Sequence, residues 1–256
     1  MPRLSLYFIF VLYANLWIWR IFSYNFFLGL LSLFTSALLY LCLRSQKSGN
    51  LKVLLLFCYA LLLLFQWQTT SISSLTQLDN DQKRIQQMRL NEYPPVSIRF
   101  RNKTIWIPIA HWFEGRKETI AAFRIQNNFS ENIDPMLYFF ANHPRERVGI
   151  EEFEKFPYIL FPFFLVGIFY LSKKLKISIL LTSLLFPIAL ISIIGSKDNL
   201  GPFSLFPFIS VATSAGLAET HRWVKLLLQK NYQKVLIAFA IVFILVFLQI
   251  ASYAKY

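Results

Sequence analysis

From Phe26 to Leu43 the chain reads "FFLGLLSLFTSALLYLCL", with no charged side chain anywhere in it. A run of that length can cross the hydrocarbon core of a bilayer, which takes about 20 mostly apolar residues in helical form. Similar runs read Leu4–Phe22, Val53–Gln66, Phe156–Leu171, Ile177–Ile194, Phe203–Ala218 and Val235–Ala251, so seven spans are expected in all. The run at Val53–Gln66 has room to extend beyond Gln66. The one at Phe203–Ala218 is interrupted at its start by Gly201, Pro202 and Pro207, and partial re-entry is expected there. The first run is too long for a signal peptide, carries Arg20 and has no small-residue cleavage site after it, so it reads as a retained span. Apolar residues make up 56% of the chain, against about 45–50% in globular proteins.

A net charge of +13 raises the question of nucleic acid, and the placement of the charge answers it. With the N-terminus in the cytoplasm, Arg3, Arg44, Lys47, Lys52, Lys173, Lys174, Lys176, Arg222, Lys225, Lys230 and Lys234 all fall on the inner side. That is the asymmetry of the positive-inside rule. The long segment 69–155 then lies outside, with nearly balanced charge. A basic surplus split among short loops is an orientation signal, and it suits anionic lipid headgroups rather than nucleic acid. Cys42 and Cys58 both sit in apolar runs, which points to no disulfide. No metal-ligand spacing or cofactor motif appears, and His111, His143 and His221 are far apart. The expected partners are therefore the bilayer and not nucleic acid, and the expected location is the plasma (cytoplasmic) membrane.

The outer segment is too long for a bare connection and should carry structure of its own. Ser74–Asn91 spaces Leu75, Leu78, Ile85 and Met88 as a loose helix, ended by Pro94 and Pro95. "VSIRF" and "TIWIP" alternate around "RNKT" and read as a β-hairpin, with Val96, Ile98 and Phe100 on one face and Arg99 and Arg101 turned outward. "GRKETIAAFRIQNNF" reads as an amphipathic helix, and Asp134-Pro135 as a turn. The expected fold is thus an all-α polytopic membrane protein with a small α+β extracytoplasmic domain. Three helices fall in 1–68, the outer domain in 69–155 and four helices in 156–256.

The succession "NNFSENIDPMLYFFANHPRERVGIEEFEKFPYILFPFFLVGIFYL" resembles the middle of GT-C type polytopic glycosyltransferases. These are the relatives of protein mannosyltransferases and aminoarabinose-lipid transferases. The matches are Asp134-Pro135, Leu137 to Phe140, His143-Pro144-Arg145, Val148-Gly149 and Phe161 to Gly167. A second match runs from Ser196 to Ala218, where a polar turn, a proline and a small-residue span occur together. The resemblance implies sugar transfer from a polyprenyl-phosphate donor, with an acid activating the acceptor and cations holding the phosphate. It also implies an acid soon after the first span. Here that loop is only Ser23 to Asn25, and no Asp or Glu precedes Asp79. The chain therefore resembles the C-terminal half of such an enzyme: a piece of a split enzyme with its catalytic half on another chain, a degenerate relative, or an incomplete reading frame. The alternative is a non-enzymatic membrane scaffold or assembly subunit.

Arg145 and Arg147 form a cationic pair beside a span, and a guanidinium fork suits a lipid phosphate. His143 can donate to the same phosphate. The plainer reading is a solvated turn paired locally with Glu151, Glu152 and Glu154, with His143 an ordinary interfacial histidine. Within Gly149–Tyr158, Ile150, Phe153 and Phe156 are expected to rest on the membrane while the three glutamates face water. Lys197, beside Asp198 and ahead of the Gly201-Pro202 break, is a further phosphate candidate, weighed against an ordinary loop pair. Arg20 is expected to snorkel. Glu114 and Asp134 are the only outer acids to nominate as a base, and no motif surrounds either, so the catalytic residue stays unknown. Trp106 and Trp112 suit headgroup anchoring or sugar stacking. Asn102-Lys103-Thr104 and Asn128-Phe129-Ser130 are glycosylation sequons, relevant only in a eukaryotic secretory setting.

Overall fold

The structure, a computed structural model, describes residues 2–44, 49–69, 80–92, 95–101, 103–107, 116–140, 153–195, 200–227 and 232–253. The first apolar run is not one straight helix. It forms α1 (Pro2–Tyr13) and α2 (Leu16–Tyr24), bent by 58°. Asn15 causes the break. Its side-chain oxygen accepts from the Ile18 N–H at 2.8 Å, capping α2. Its amide nitrogen donates to the carbonyls of Val11 and Leu12, both at 2.8 Å. One fully buried amide thus satisfies backbone groups on both sides of the bend, as a break inside hydrocarbon requires. The expected continuous span Leu4–Phe22 is corrected accordingly.

Next come α3 (Phe26–Arg44) and α4 (Gly49–Thr69). The latter does pass Gln66. Thr35 and Ser36 donate their hydroxyls to the carbonyls of Leu31 and Ser32, both at 2.7 Å, so their O–H donors are satisfied within the apolar helix.

Among its described residues the segment 69–155 holds α5 (Asn80–Glu92), a hairpin of β1 (Val96–Phe100) and β2 (Lys103–Ile107), α6 (Lys117–Ile133) and a single turn, α7 (Met136–Phe139). The hairpin pairs antiparallel, with Val96 opposite Ile107 and Phe100 opposite Lys103, as the alternation predicts. Arg101 in its turn has φ +53°. Asp134 closes α6 and accepts from the Met136 N–H at 2.9 Å, so the expected turn is an Asx turn.

Four more helices follow: α8 (Phe161–Lys174), α9 (Ile177–Ile194), α10 (Phe206–Leu227) and α11 (Tyr232–Tyr253). α9 widens to a π-helix at Leu181–Leu185, just before Pro187. A proline cannot donate to the turn before it, and the wider turn absorbs the mismatch. α10 is the axis of the molecule, with every residue from Leu200 to Leu217 buried.

α8 and α10 run parallel. Phe156, just ahead of α8, stacks on Phe206 at the start of α10, and Tyr170 near the end of α8 lies in the field of Glu219 and Arg222. Their backbones meet at Gly167 and Gly216. A Cβ on Gly167 would stand 1.8 Å from the Ala212 carbonyl oxygen, and one on Gly216 would stand 1.7 Å from that of Phe163. Small residues that let backbones touch are how helices pack where no hydrophobic effect drives them together.

Among the described residues three helices are long and apolar enough to cross a membrane: α3, the stretch Gly49–Gln68 of α4, and α9. The bent α1–α2 pair makes a fourth if counted as one span. The expected seven spans are corrected to this number. α8 has only 14 residues, about 21 Å of helix against a core of about 30 Å. α10 is apolar because it is the core, and its second half carries Glu219, Arg222 and Lys225. The apolar stretch of α11, Ile237–Ala251, is likewise short. Long apolar runs thus came from two causes, lipid exposure and burial against other helices, which hydropathy cannot separate.

Candidate functional site

The bundle has two unlike ends. At one, the Tyr7 hydroxyl and His221 Nδ1 are 2.8 Å apart, with Phe239 against the imidazole, and Glu219 pairs with Arg222 at 3.5 Å. At the other, where α1 breaks into α2, the polar side chains concentrate.

The centre of that end is the irregular segment Phe153–Pro157, which bends at Lys155 and Phe156, and all five residues are buried. Its backbone ties two parts of the fold together. The Trp17 N–H, left free by the start of α2, donates to the Lys155 carbonyl at 3.2 Å, and the Phe156 N–H donates to the Tyr138 carbonyl at 2.8 Å. The Lys155 Nζ donates to the Leu137 carbonyl at 2.9 Å and lies 5.1 Å from the Phe153 ring centre and 5.9 Å from that of Trp17. A buried ammonium survives in such a place because a carbonyl and two ring faces replace its water. The Glu154 carboxylate accepts from the Tyr158 N–H at 2.6 Å and from the Gln249 amide.

The start of α10 completes the floor. The Trp17 indole donates to the Leu200 carbonyl at 2.7 Å. The Gln66 amide donates to the Gly201 carbonyl at 3.3 Å. Gly201 has φ +66°, where only glycine rests without strain, and a Cβ there would come 2.9 Å from the Lys155 Cε. The Trp17 ring meets Tyr138, Phe156 and Phe206, each within 6 Å. A recess lined by Leu16, Glu154, Pro157, Gln249 and Ile250 adjoins this cluster and is too tight to admit a water molecule.

α6 reaches the same end. Asn128 donates to the Ser192 carbonyl at 3.0 Å, beside the last turn of α9. One turn on, Asn132 is buried with neither amide atom hydrogen-bonded, while Ile125, Phe129 and Ile133 are turned outward. Arg124, Asn128 and Asn132 thus lie on the inward side of the helix, and Phe123, Ile125, Phe129 and Ile133 are exposed among Gln126, Asn127 and Ser130.

Of the residues singled out from sequence, His143, Arg145, Arg147, Lys197, Glu114, His111, Trp112, Asn102, Glu151, Glu152 and Asp198 lie outside the described residues. Glu154 is a correction. It is buried, not water-facing, because the Tyr158 N–H and Gln249 stand where water would. Phe153 and Phe156 enter the core instead of resting on a membrane surface, and residues 153–157 are not helical. Asp134 is engaged as a turn cap. Arg20 is exposed, with its guanidinium 4.1 Å above the Phe153 ring centre. Asn128, in the second sequon, is held against α9. Sequence reading missed Trp17, Gln66, Lys155 and Gln249. A glutamine within an otherwise apolar run was the one available signal, and it was read only as a span boundary.

Among the described residues no three or more His, Cys, Asp or Glu side chains gather as a metal site. The arrangement can lock an incoming chain segment against the helices, and its two buried charged side chains, Glu154 and Lys155, are engaged in doing so. No protein-family model, no curated protein and no solved structure matches the chain.

Proposed function

We propose that the chain is a multi-pass membrane protein that serves as a non-enzymatic scaffold or assembly subunit, presenting the segment 69–155 on the extracytoplasmic side. The observation that carries this is the engagement of Glu154 and Lys155. They are buried at the end of the segment 69–155, and they hold Phe153–Pro157 in place through Tyr158, Gln249 and Leu137. Groups committed to architecture in this way are poor general acids or bases, which need a proton path to substrate. The orientation is supported by Arg44, Lys173, Lys174, Arg222 and Lys225, which sit on helix ends that share the Tyr7 end of the bundle. The test is incubation of the purified, reconstituted chain with a polyprenyl-phosphate sugar and candidate acceptors. No transfer is expected, and turnover would refute the scaffold reading.

A second reading has its own support. The two segments that resemble GT-C glycosyltransferases, around Phe161–Gly167 and Ser196–Ala218, are the ones that meet at the Gly167–Gly216 crossing. On this reading the chain is half of a split transferase. Arg145, Arg147, His143 and Lys197 would hold the lipid phosphate, and a partner chain would bring the missing acid. Co-expression with the product of a neighbouring membrane-protein gene carrying an early outer-loop acid should then restore transfer that neither chain shows alone.

A further inference from the structure

The hairpin is the one sheet among the described residues, and it stands uncovered. Its register puts Val96, Ile98, Phe100, Ile105 and Ile107 on a single face. Phe100 is 70% exposed, and Val96, Ile98 and Ile105 are each about half exposed. Two strands alone are marginal in water, so this face needs an occupant. The charges around it say which. Lys103 lies opposite Phe100 on this face and Arg101 sits in the turn beside it, both exposed, while Arg99 lies on the other face, and the stretch from Val96 to Ile107 contains no acid.

We propose that this apolar face docks on the extracytoplasmic surface of an anionic bilayer, with Phe100 entering the headgroup boundary and Arg101 and Lys103 meeting lipid phosphates. An apolar face rimmed by cations is the chemistry of a peripheral lipid contact. Two further features favour lipid over a protein partner. α6, which follows, exposes Phe123, Ile125, Phe129 and Ile133 among Gln126, Asn127 and Ser130, a mixed apolar and polar face that suits the headgroup boundary, while Asn132 is buried. The ten-residue step from Ile107 to Lys117 can span at most about 35 Å, so the hairpin stays within reach of the surface, and tethering keeps lipid at high effective concentration. The register also corrects the anchoring expected of Trp106. It lies opposite Ser97, on the other face from Phe100, and therefore points away from the lipid. This inference rests on the membrane reading and is separable from it.

The experiment uses the full chain, with Cys42→Ala and Cys58→Ala, reconstituted into vesicles of phosphatidylcholine and phosphatidylglycerol. Single nitroxide labels are placed through Ile98→Cys, Ile105→Cys, Ser97→Cys and Thr104→Cys. Collisions with lipid-soluble oxygen are compared with collisions with a water-soluble nickel complex. Positions 98 and 105 should favour oxygen, and 97 and 104 should favour nickel. Each cation near an anionic surface is worth about fivefold in the docked-to-free ratio. Replacing Arg101 and Lys103 by Gln should therefore lower that ratio about 25-fold and return 98 and 105 toward the water-exposed pattern, as should vesicles of phosphatidylcholine alone, whereas Arg99→Gln, on the other face, should change it little. A nickel preference at 98 and 105 in the anionic vesicles would overturn the proposal. Protection from both reagents would also overturn it, in favour of a protein occupant. A label at Leu64→Cys, exposed on α4, reports on the membrane reading by itself: oxygen preference there with nickel preference at 98 sinks the docking alone, whereas nickel preference at 64 sinks both.

Discussion

Replacing Gly167 by alanine adds one methyl group where there is no room for it. Its carbon would stand 1.8 Å from the Ala212 carbonyl oxygen, about 1.5 Å or more inside ordinary van der Waals separation. The obstacle is backbone, so no rotamer change can relieve it, and α8 and α10 must move apart. Overpacking of this kind costs about 1–3 kcal/mol and sometimes more. Separation also loses close backbone C–H···O contacts worth about 0.5–1 kcal/mol each. Against this, alanine gains about 1 kcal/mol of helix propensity over glycine. The net expectation is a loss of about 2 kcal/mol, or roughly 30-fold in the folding equilibrium. Gly216→Ala should cost a similar amount, because its Cβ would meet the Phe163 carbonyl oxygen at 1.7 Å. Both methyls enter one crossing, so a single separation relieves both, and the double variant should cost clearly less than the sum. The assay is reversible unfolding in mixed micelles of detergent and denaturing surfactant. Gly49→Ala is the control, since a Cβ there meets nothing within 4 Å. If Gly167→Ala behaves like Gly49→Ala, or if the two crossing variants are additive, the close approach is not there.

Asn15→Leu should cost about 2–4 kcal/mol in the same assay, since three hydrogen bonds at the bend are lost. Asn132→Leu should be neutral or mildly stabilising, because neither amide atom has a partner to lose; a large destabilisation would mean the amide is engaged after all. Cysteine at Lys103 should react with an impermeant thiol reagent in intact cells, and cysteine at Lys225 only after permeabilisation. The opposite pattern would reverse the orientation drawn from charge.

How far the sequence foretold this structure depends on how local each cause is. α3, α4 and α9 were legible because lipid exposure writes itself as an unbroken apolar run. The hairpin was legible from alternation around a turn, and α6 from its periodicity. The bend at Asn15 was not, since one amide among aromatic residues hardly changes a hydropathy average. Its effect depends on donors and acceptors within a turn on either side. The burial of Lys155 depends on Trp17, Leu137 and Gly201, partners far apart in the chain, and nothing near Lys155 announces them. The outward reading of Glu154 failed for the same reason, as Gln249 lies 95 residues away. The polar motif His143-Pro144-Arg145 remains a sequence argument only.

The bend at Asn15 also bears on the membrane around it. α1 has 12 residues and α2 has 9, about 18 Å and 13 Å of helix. With α1 along the bilayer normal, a 58° bend leaves α2 contributing only about 7 Å of depth. The pair then covers about 25 Å, some 5 Å less than an average hydrocarbon core. Lipid beside this pair must thin or the protein must tilt, at a fraction of a kcal/mol for each ångström. The chain should therefore prefer thin bilayers, and in thicker ones it should draw short-chain lipid to the α1–α2 flank.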